Sequence, residues 1–319
     1  MEKNLYIDAS HPDETRIVLK SDNGVEEYEY EDKNKLNFKN NIYLGTVSRV
    51  EPSLQAVFIN FGRTKHGFLA FNDIQSDYYQ IPTEDKEKLQ EAEERIREDL
   101  KNENVDELSH ELKSENNRLE KKDSNYQKQD EIITPPEEKK QNNNTREKLK
   151  NSYGVKRYKI QEVVKPGQVI LIQVIKEERG NKGAALTTFI SLAGKYLVLM
   201  PNTAKGGGIS RKIFVSADRT KIRNILNEID IPKSMGVIVR TAGANKTKNE
   251  IEKDFQNTIK TWDQIKTKAL SSEAPSLIHE EDDIIKRAIR DIYDNDTTNI
   301  YVDGNEGHQK AKAFIKDLI

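Results

Sequence analysis

A long tract from Thr83 to Ser152 is dominated by Glu, Lys, Asp, Asn and Gln with little apolar content, and the β-rich sequence on either side must close into a fold without it. Tyr126 is its only aromatic residue. Leu89, Ala92, Ile96 and Leu100, then Val105, Leu108 and Leu112, fall at helical spacing, but the stripe is too thin to bury against a core. Pro135-Pro136 and Asn142-Asn143-Asn144 have linker character. Strand pattern resumes at Lys165-Pro166-Gly167 and runs through Val169 to Val174, so the tract is an insertion: a charged, disordered or partly helical arm. A docking segment for a partner is the alternative.

The rest of the composition sets limits. Apolar residues make up 34% of the 319 and charged residues 33%, as expected if part of the length is unpacked and the remainder forms two or three compact units. Net charge is −2, so any site for a polyanion has to be local. The chain has no cysteine, which excludes disulfides and thiolate metal sites and suits a reducing cytoplasm. No apolar run reaches the roughly 18 residues of a membrane span, and Met1 opens into charged sequence, so neither a signal peptide nor a membrane helix is expected.

Residues 3 to 30 alternate as a small antiparallel meander with a turn at Asp22-Asn23-Gly24. Asp8 closes its first strand; it is a turn former or the first acid of a ribonuclease-H-type metal site, with Asp303 as a partner. Ile42 to Val50, Gln55 to Phe61 and His66 to Leu69 are short strands with glycine bends and a basic tip at Gly62-Arg63-Thr64-Lys65, the pattern of a small Greek-key barrel of the oligonucleotide-binding kind. Period two turns Phe58 away from Phe61, so Phe58, Phe61 and Phe68 cannot all be core, and an outward aromatic offers a face on which a base stacks for ~1–3 kcal/mol. His66 has no partner at metal spacing and reads as a hydrogen-bonded strand residue.

Lys176 to Asn202 (KEERGNKGAALTTFISLAGKYLVLMPN) is the densest meeting of charge, glycine and apolar strand. Its basic turn carries Lys176, Arg179 and Lys182. Ala184, Leu186, Phe189 and Leu192, then Tyr196, Val198 and Met200, supply the expected buried positions. A second basic glycine-rich loop, Lys205 to Lys212, lacks the spacing of a nucleotide-phosphate fingerprint. Helix is expected from Asp218 to Glu228, strand from Met235 to Arg240, and a long helix from about Thr247 with Trp262 in its core face. Arg240-Thr241-Ala242-Gly243 ends that strand with a guanidinium and a hydroxyl, which suit a terminal phosphate or a structural salt bridge. Ser276 to His279 (strand), Asp282 to Tyr293 (helix, with Arg287 and Arg290 exposed), Asn299 to Asp303 (strand) and a helix from near His308 form a tail that should rejoin the N-terminal meander, since isolated strands cannot bury their faces.

The runs NIYLGTVSRVEPSLQAVF, HGFLAF, KEERGNKGAALTTFISLAGKYLVLMPN, GGGISRKI and MGVIVRTAG, in that order, resemble the N-terminal half of the bacterial ribonuclease E/G family, most closely its ribonuclease E branch. The likeness spans nearly the whole chain outside the insertion. It implies an α+β protein: an S1/OB-type β-barrel with a charged insertion, joined to a mixed α/β 5′-sensor region and a split, incomplete ribonuclease-H-like subdomain. The implied boundaries are 1–36 and 273–319 for the ribonuclease-H-like parts, 37–82 and 153–192 for the S1 domain, 83–152 for the insertion and 193–272 for the sensor.

The resemblance also implies function: an endoribonuclease of RNA processing and mRNA decay that acts on single-stranded RNA and prefers a 5′-monophosphorylated end. Phe58, Phe68, Lys182 and Arg211 match the family's RNA contacts, and Gly194, Val198, Arg240 and Thr241 its 5′-phosphate pocket. The family cleaves with Mg²⁺ held by an aspartate pair that is expected beyond this C-terminus, so no residue here inherits a catalytic or metal role. The cysteines of its zinc link are absent, and its homotetramer is not expected from this chain alone. Cytoplasmic location, peripheral attachment to the inner membrane through other parts of the full protein, and RNA-decay protein partners are further implications. A non-catalytic RNA-binding adaptor remains the alternative.

Overall fold

The computed structural model describes residues 2–32, 37–89, 91, 158–180, 182–203, 208–232, 234–293 and 296–318. Most of the insertion therefore lies outside the described residues, although 83–89 form a helix whose Leu89 is buried. The insertion's two ends are tied together: Gln80 N–H donates to the Val163 carbonyl (2.8 Å), and the Tyr158 hydroxyl donates to Asp85.

Three large hydrophobic cores, with a small fourth cluster of Ile213, Ile222 and Val239, organise the described residues. The first lies inside a closed five-stranded barrel of β4 (Ile42–Glu51), β5 (Ala56–Asn60), β6 (Gly67–Ala70), β7 (Val169–Lys176) and β8 (Ala185–Thr187). Strand order is β4-β5-β6-β8-β7, and β7 closes antiparallel on β4. The β6–β8 pair is parallel. That order, with the insertion between its third and fourth strands, is consistent with an OB-type fold. Val47, Ile59, Phe61, Leu69, Ile172 and Leu186 fill the interior. Gly45 lets β4 bend there, since a Cβ would sit 2.6 Å from Ile59 Cγ2.

The second core lies under the sheet β11-β12-β10-β9, formed by β9 (Leu192–Ala193), β10 (Leu197–Met200), β11 (Gly208–Ile209) and β12 (Gly236–Val239). Helices α1 (Ser216–Glu228) and α2 (Lys248–Ser271) cover one face. Thr247 caps α2 in a capping box with Glu250, as a hydroxyl followed three residues later by a carboxylate should. Phe255 and Trp262 on α2 meet Leu197, Leu199 and Val237. Here the parity is opposite to the sequence expectation: Leu197 and Leu199 are buried, while Tyr196, Val198 and Met200 are half-buried on the open face. Both parities are apolar, so alternation could not choose between them; packing against α2 does.

Strand β13 (Ser276–His279) pairs with β4 on the barrel's edge. The chain then enters the third core, where β14 (Thr297–Asp303) pairs parallel with β1 (Lys3–Asp8), followed by β2 (Glu14–Ser21) and β3 (Gly24–Asp32). Helices α3 (Ile284–Asp291) and α4 (Asn305–Leu318) pack on one face over Leu5, Ile7 and Ile17. The tail thus does rejoin the N-terminal meander.

Candidate nucleic-acid interface

Phe58 and Phe68 face each other across β5 and β6 as direct Cα partners, their rings 6.0 Å apart and nearly perpendicular at 74°. Both are half-buried, whereas their neighbours Val57, Ile59 and Leu69 are buried and Phe61 is inside, edge-on to Tyr43. Strand register extends the pair into a stripe: Arg49 opposes Phe58, and Ala185 opposes Phe68. The Arg49 guanidinium lies 4.3 Å from the Phe58 centroid. With the cation over one face of Phe58 and Phe68 tilted against it, the outer barrel wall pairs half-buried rings with a positive charge, a combination that can take a stacked base and a phosphate.

Lys182 is exposed at the tip of the hairpin between β7 and β8, closed by reciprocal bonds with Arg179 (3.2 and 3.0 Å) around left-handed Gly180. Lys65, from the other basic tip, donates to the Gly180 carbonyl at 2.6 Å, bringing the two tips side by side. The tips can meet because Gly183 has no side chain: a Cβ there would stand 1.9 Å from the His66 carbonyl oxygen. His66 itself is exposed and precedes β6, so it is not the bonded strand residue its sequence context suggested.

The second sequence-predicted group gathers on the open side of the sheet β11-β12-β10-β9. Val198 lies in register between Ala193 and Ile238, giving a half-open apolar strip. Arg240 follows β12, and the turn Thr241–Gly243 leaves Thr241 exposed. Arg240 Nη1 donates to the Gly194 carbonyl (2.8 Å) and to Asp291 Oδ1 (2.5 Å). Arg240 therefore has the salt bridge considered from sequence and also stands beside Gly194, Val198 and Thr241. Arg211 is exposed on the loop after β11, apart from that turn; Lys205 to Gly207 fall outside the described residues.

A profile of the Ribonuclease E/G family matches residues 191–319. Over 314 residues, 98% of this chain, it is 34% identical to the ribonuclease E of Haemophilus influenzae, and over 316 residues, 99%, it is 33% identical to that of Escherichia coli. The chain belongs to the ribonuclease E/G family. This family member spans 26% and 23% of the length of those two relatives, about a quarter, and 60% of a shorter Buchnera aphidicola protein named putative ribonuclease E, to which it is 31% identical.

Several residues that shape these surfaces are invisible to motif reading. Asp254 on α2 accepts from the backbone N–H groups of Lys195 (3.1 Å), Tyr196 (2.9 Å) and Leu197 (3.1 Å), so one carboxylate folds the turn that carries Gly194. Burial raises its pKa against those three bonds. The turn and Asp254 both line a cleft of about 520 Å³ between the sheet, α2 and α3. There the Lys195 ammonium sits 4.8 Å from the Tyr293 ring, its pKa lowered by burial and then by Lys246.

Arg290, expected to be exposed, is buried instead, its side chain 8% accessible and bonded to Glu281, Asp282 and Asp291. The helical period turns it outward from its own helix; acids from the preceding loop enclose it. Asp8 accepts from the Ser10 N–H and hydroxyl (3.2 and 2.6 Å), the geometry of a turn, and the hydroxyl's bond chiefly lowers its pKa. Among the described residues no group of three or more His, Asp or Glu is placed to hold a metal ion, so no step through Mg²⁺ is built on them. No described helix is long and apolar enough to cross a membrane.

Proposed function

We propose that this chain holds single-stranded RNA on the outer barrel wall and reads a 5′-monophosphorylated end at Arg240 and Thr241, as part of a ribonuclease E/G-type endoribonuclease of RNA processing and mRNA decay. The stripe Arg49–Phe58–Phe68 carries the reading. Its rings are kept out of the core by strand parity and stay accessible beside a cation, which sequence-tolerant binding of unpaired bases requires.

Beside it, Lys182 and Arg211 supply cations for the backbone, and Gly194, Val198, Arg240 and Thr241 line the strip and turn where a first nucleotide would lie. In this assignment 37–82 and 153–192 form the S1 domain, 193–272 the 5′ sensor, and the outer segments 1–36 and 273–319 a ribonuclease-H-like subdomain. Binding of a labelled RNA ten-mer with a 5′-monophosphate, against the same RNA with a 5′-hydroxyl, tests it. The monophosphate should bind more tightly, Arg240→Ala should erase the difference, and Phe58→Ala should weaken both RNAs alike. Equal affinity of the two RNAs for the parent chain would refute end recognition.

Affinity should also fall steeply with salt, as phosphate contacts release counterions. A second reading is a single-stranded RNA-binding or adaptor module that does not itself cut. Incubation of the chain with RNA and Mg²⁺ separates the two. The cytoplasm and a tetrameric, Mg²⁺-dependent full-length assembly belong to the same proposal.

A further inference from the structure

Arg240 is held by one corner. Both of its side-chain bonds, to the Gly194 carbonyl and to Asp291 Oδ1, leave from Nη1, while Nε and Nη2 have no partner among the described residues. Asp291 is held in turn: Arg290 donates through Nε to Oδ1 (3.1 Å) and through Nη2 to Oδ2 (3.1 Å), and Arg290 Nη1 reaches Glu281 (2.8 Å) and Asp282 (3.3 Å). Arg290 is almost wholly buried, so this carboxylate does not swing freely. A surface arginine ordinarily loses much rotamer freedom when it grips an anion. One anchored at a single Nη has lost it already, and its Nε–Nη2 edge still presents two parallel N–H groups at the spacing of two phosphate oxygens.

We infer that Asp291 is a positioning residue for terminal-phosphate recognition: it fixes Arg240 through Nη1 so that the free edge of the guanidinium meets the phosphate as a preformed fork. The inference rests on the reading that Arg240 binds a 5′-phosphate. Because Asp291 ends α3, it also makes the aim of the sensor depend on the unit built from β14, β1, β2 and β3. A carboxylate that instead occupied the phosphate's place would engage the Nε–Nη2 edge, and it does not.

The experiment compares the full chain with Arg240→Ala, Asp291→Ala and Asp291→Asn, measuring by fluorescence anisotropy the ratio of affinities for the 5′-monophosphate and 5′-hydroxyl RNA ten-mers. Arg240→Ala should bring the ratio to one. Asp291→Ala should lower it about tenfold, within the range that a coupled neighbouring pair contributes, with affinity for the hydroxyl RNA unchanged within about twofold. Asp291→Asn keeps an acceptor oxygen for Nη1 and should fall between the two, which separates loss of aim from loss of folding; if Asp291→Ala does not fold, Asp291→Asn alone decides.

A ratio left at the parent value in the folded Asp291 variants, while Arg240→Ala abolishes it, overturns the inference and leaves the sensor reading standing. A ratio that rises shows that Asp291 blocks the phosphate, and overturns it too. A ratio insensitive to Arg240→Ala removes the sensor reading and the inference together.

Discussion

Removing the carboxylate of Asp254 and adding a methyl group at Gly194 should each destabilise the turn at residues 193–197, and together they should cost little more than the first alone. Asp254→Ala strips the acceptor from three backbone N–H groups. Those of Lys195 and Tyr196 are near enough to the surface to find water, but Leu197 is fully buried. A buried donor left unmade costs about 1–3 kcal/mol and each charged hydrogen bond contributes up to about 3 without being additive, so a loss of about 3 kcal/mol is expected.

Gly194→Ala acts on the same contact from the other side. Its Cβ would lie 2.5 Å from Asp254 Oδ2 and 2.9 Å from both Cγ and Oδ1, and a carboxylate held by three N–H groups cannot swing aside. Overpacking of that kind costs about 2 kcal/mol. All three of the nearest atoms belong to Asp254, so the methyl group becomes harmless once the carboxylate is gone, and the double variant should lose about 3 rather than about 5 kcal/mol. Urea unfolding followed by Trp262 measures this directly, for it is the chain's sole tryptophan and lies on α2, the helix that carries Asp254. Costs that add to within about 0.5 kcal/mol would show that the two residues do not share one contact, and the account of the turn would fail.

Phe58→Ala and Phe68→Ala should each weaken single-stranded RNA binding by ~1–3 kcal/mol with the barrel still folded, whereas Phe61→Ala should cost about 3–5 kcal/mol of stability; anisotropy and urea midpoints distinguish the two outcomes. Gly183→Ala should break the parallel β6–β8 pairing, since its Cβ meets the His66 carbonyl oxygen at 1.9 Å, and amide exchange at Phe68, which donates to Ala184 (2.7 Å), should lose its protection. Burial lowers the pKa of His279 below its ordinary 6.5, so between the two values the unfolded chain binds a proton that the folded chain does not. Its contribution to stability is complete above about 6.5 and is lost as pH falls through that window, and His279→Gln should flatten the difference between urea midpoints at about pH 7.5 and about pH 5.5.

The barrel's aromatics were legible because one rule, the period of two, separates Phe58 from Phe61, and Phe61 is the ring that went inside. The start of the long helix near Thr247 and the return of the tail to the first strand were legible for similar reasons: a local signal in one case, the impossibility of two bare strands in the other. The same logic was silent at 196–200, where both faces are apolar, and misleading at Arg290, where helical spacing points outward and the burying acids lie in another segment. Neither Asp254 nor Asp291 carries a motif. Each acts through a partner 51 to 59 residues away, at a distance that local pattern does not span.

The order of the cores along the chain explains why the candidate sensor stands where it does. The polypeptide leaves the third unit after β3, builds the barrel and then the sheet β11-β12-β10-β9, and returns through β13, which is hydrogen-bonded to β4 of the barrel before α3 begins. The return crosses the junction between the units, and its segment supplies Glu281, Asp282, Arg290 and Asp291. Buried charges at such a crossing persist only when paired, so the acids that neutralise Arg290 are required by its burial. Once they are there, Asp291 has an oxygen to share with Arg240 across the seam. A contact that the topology demands for stability thereby also fixes the guanidinium proposed to read the end of an RNA strand.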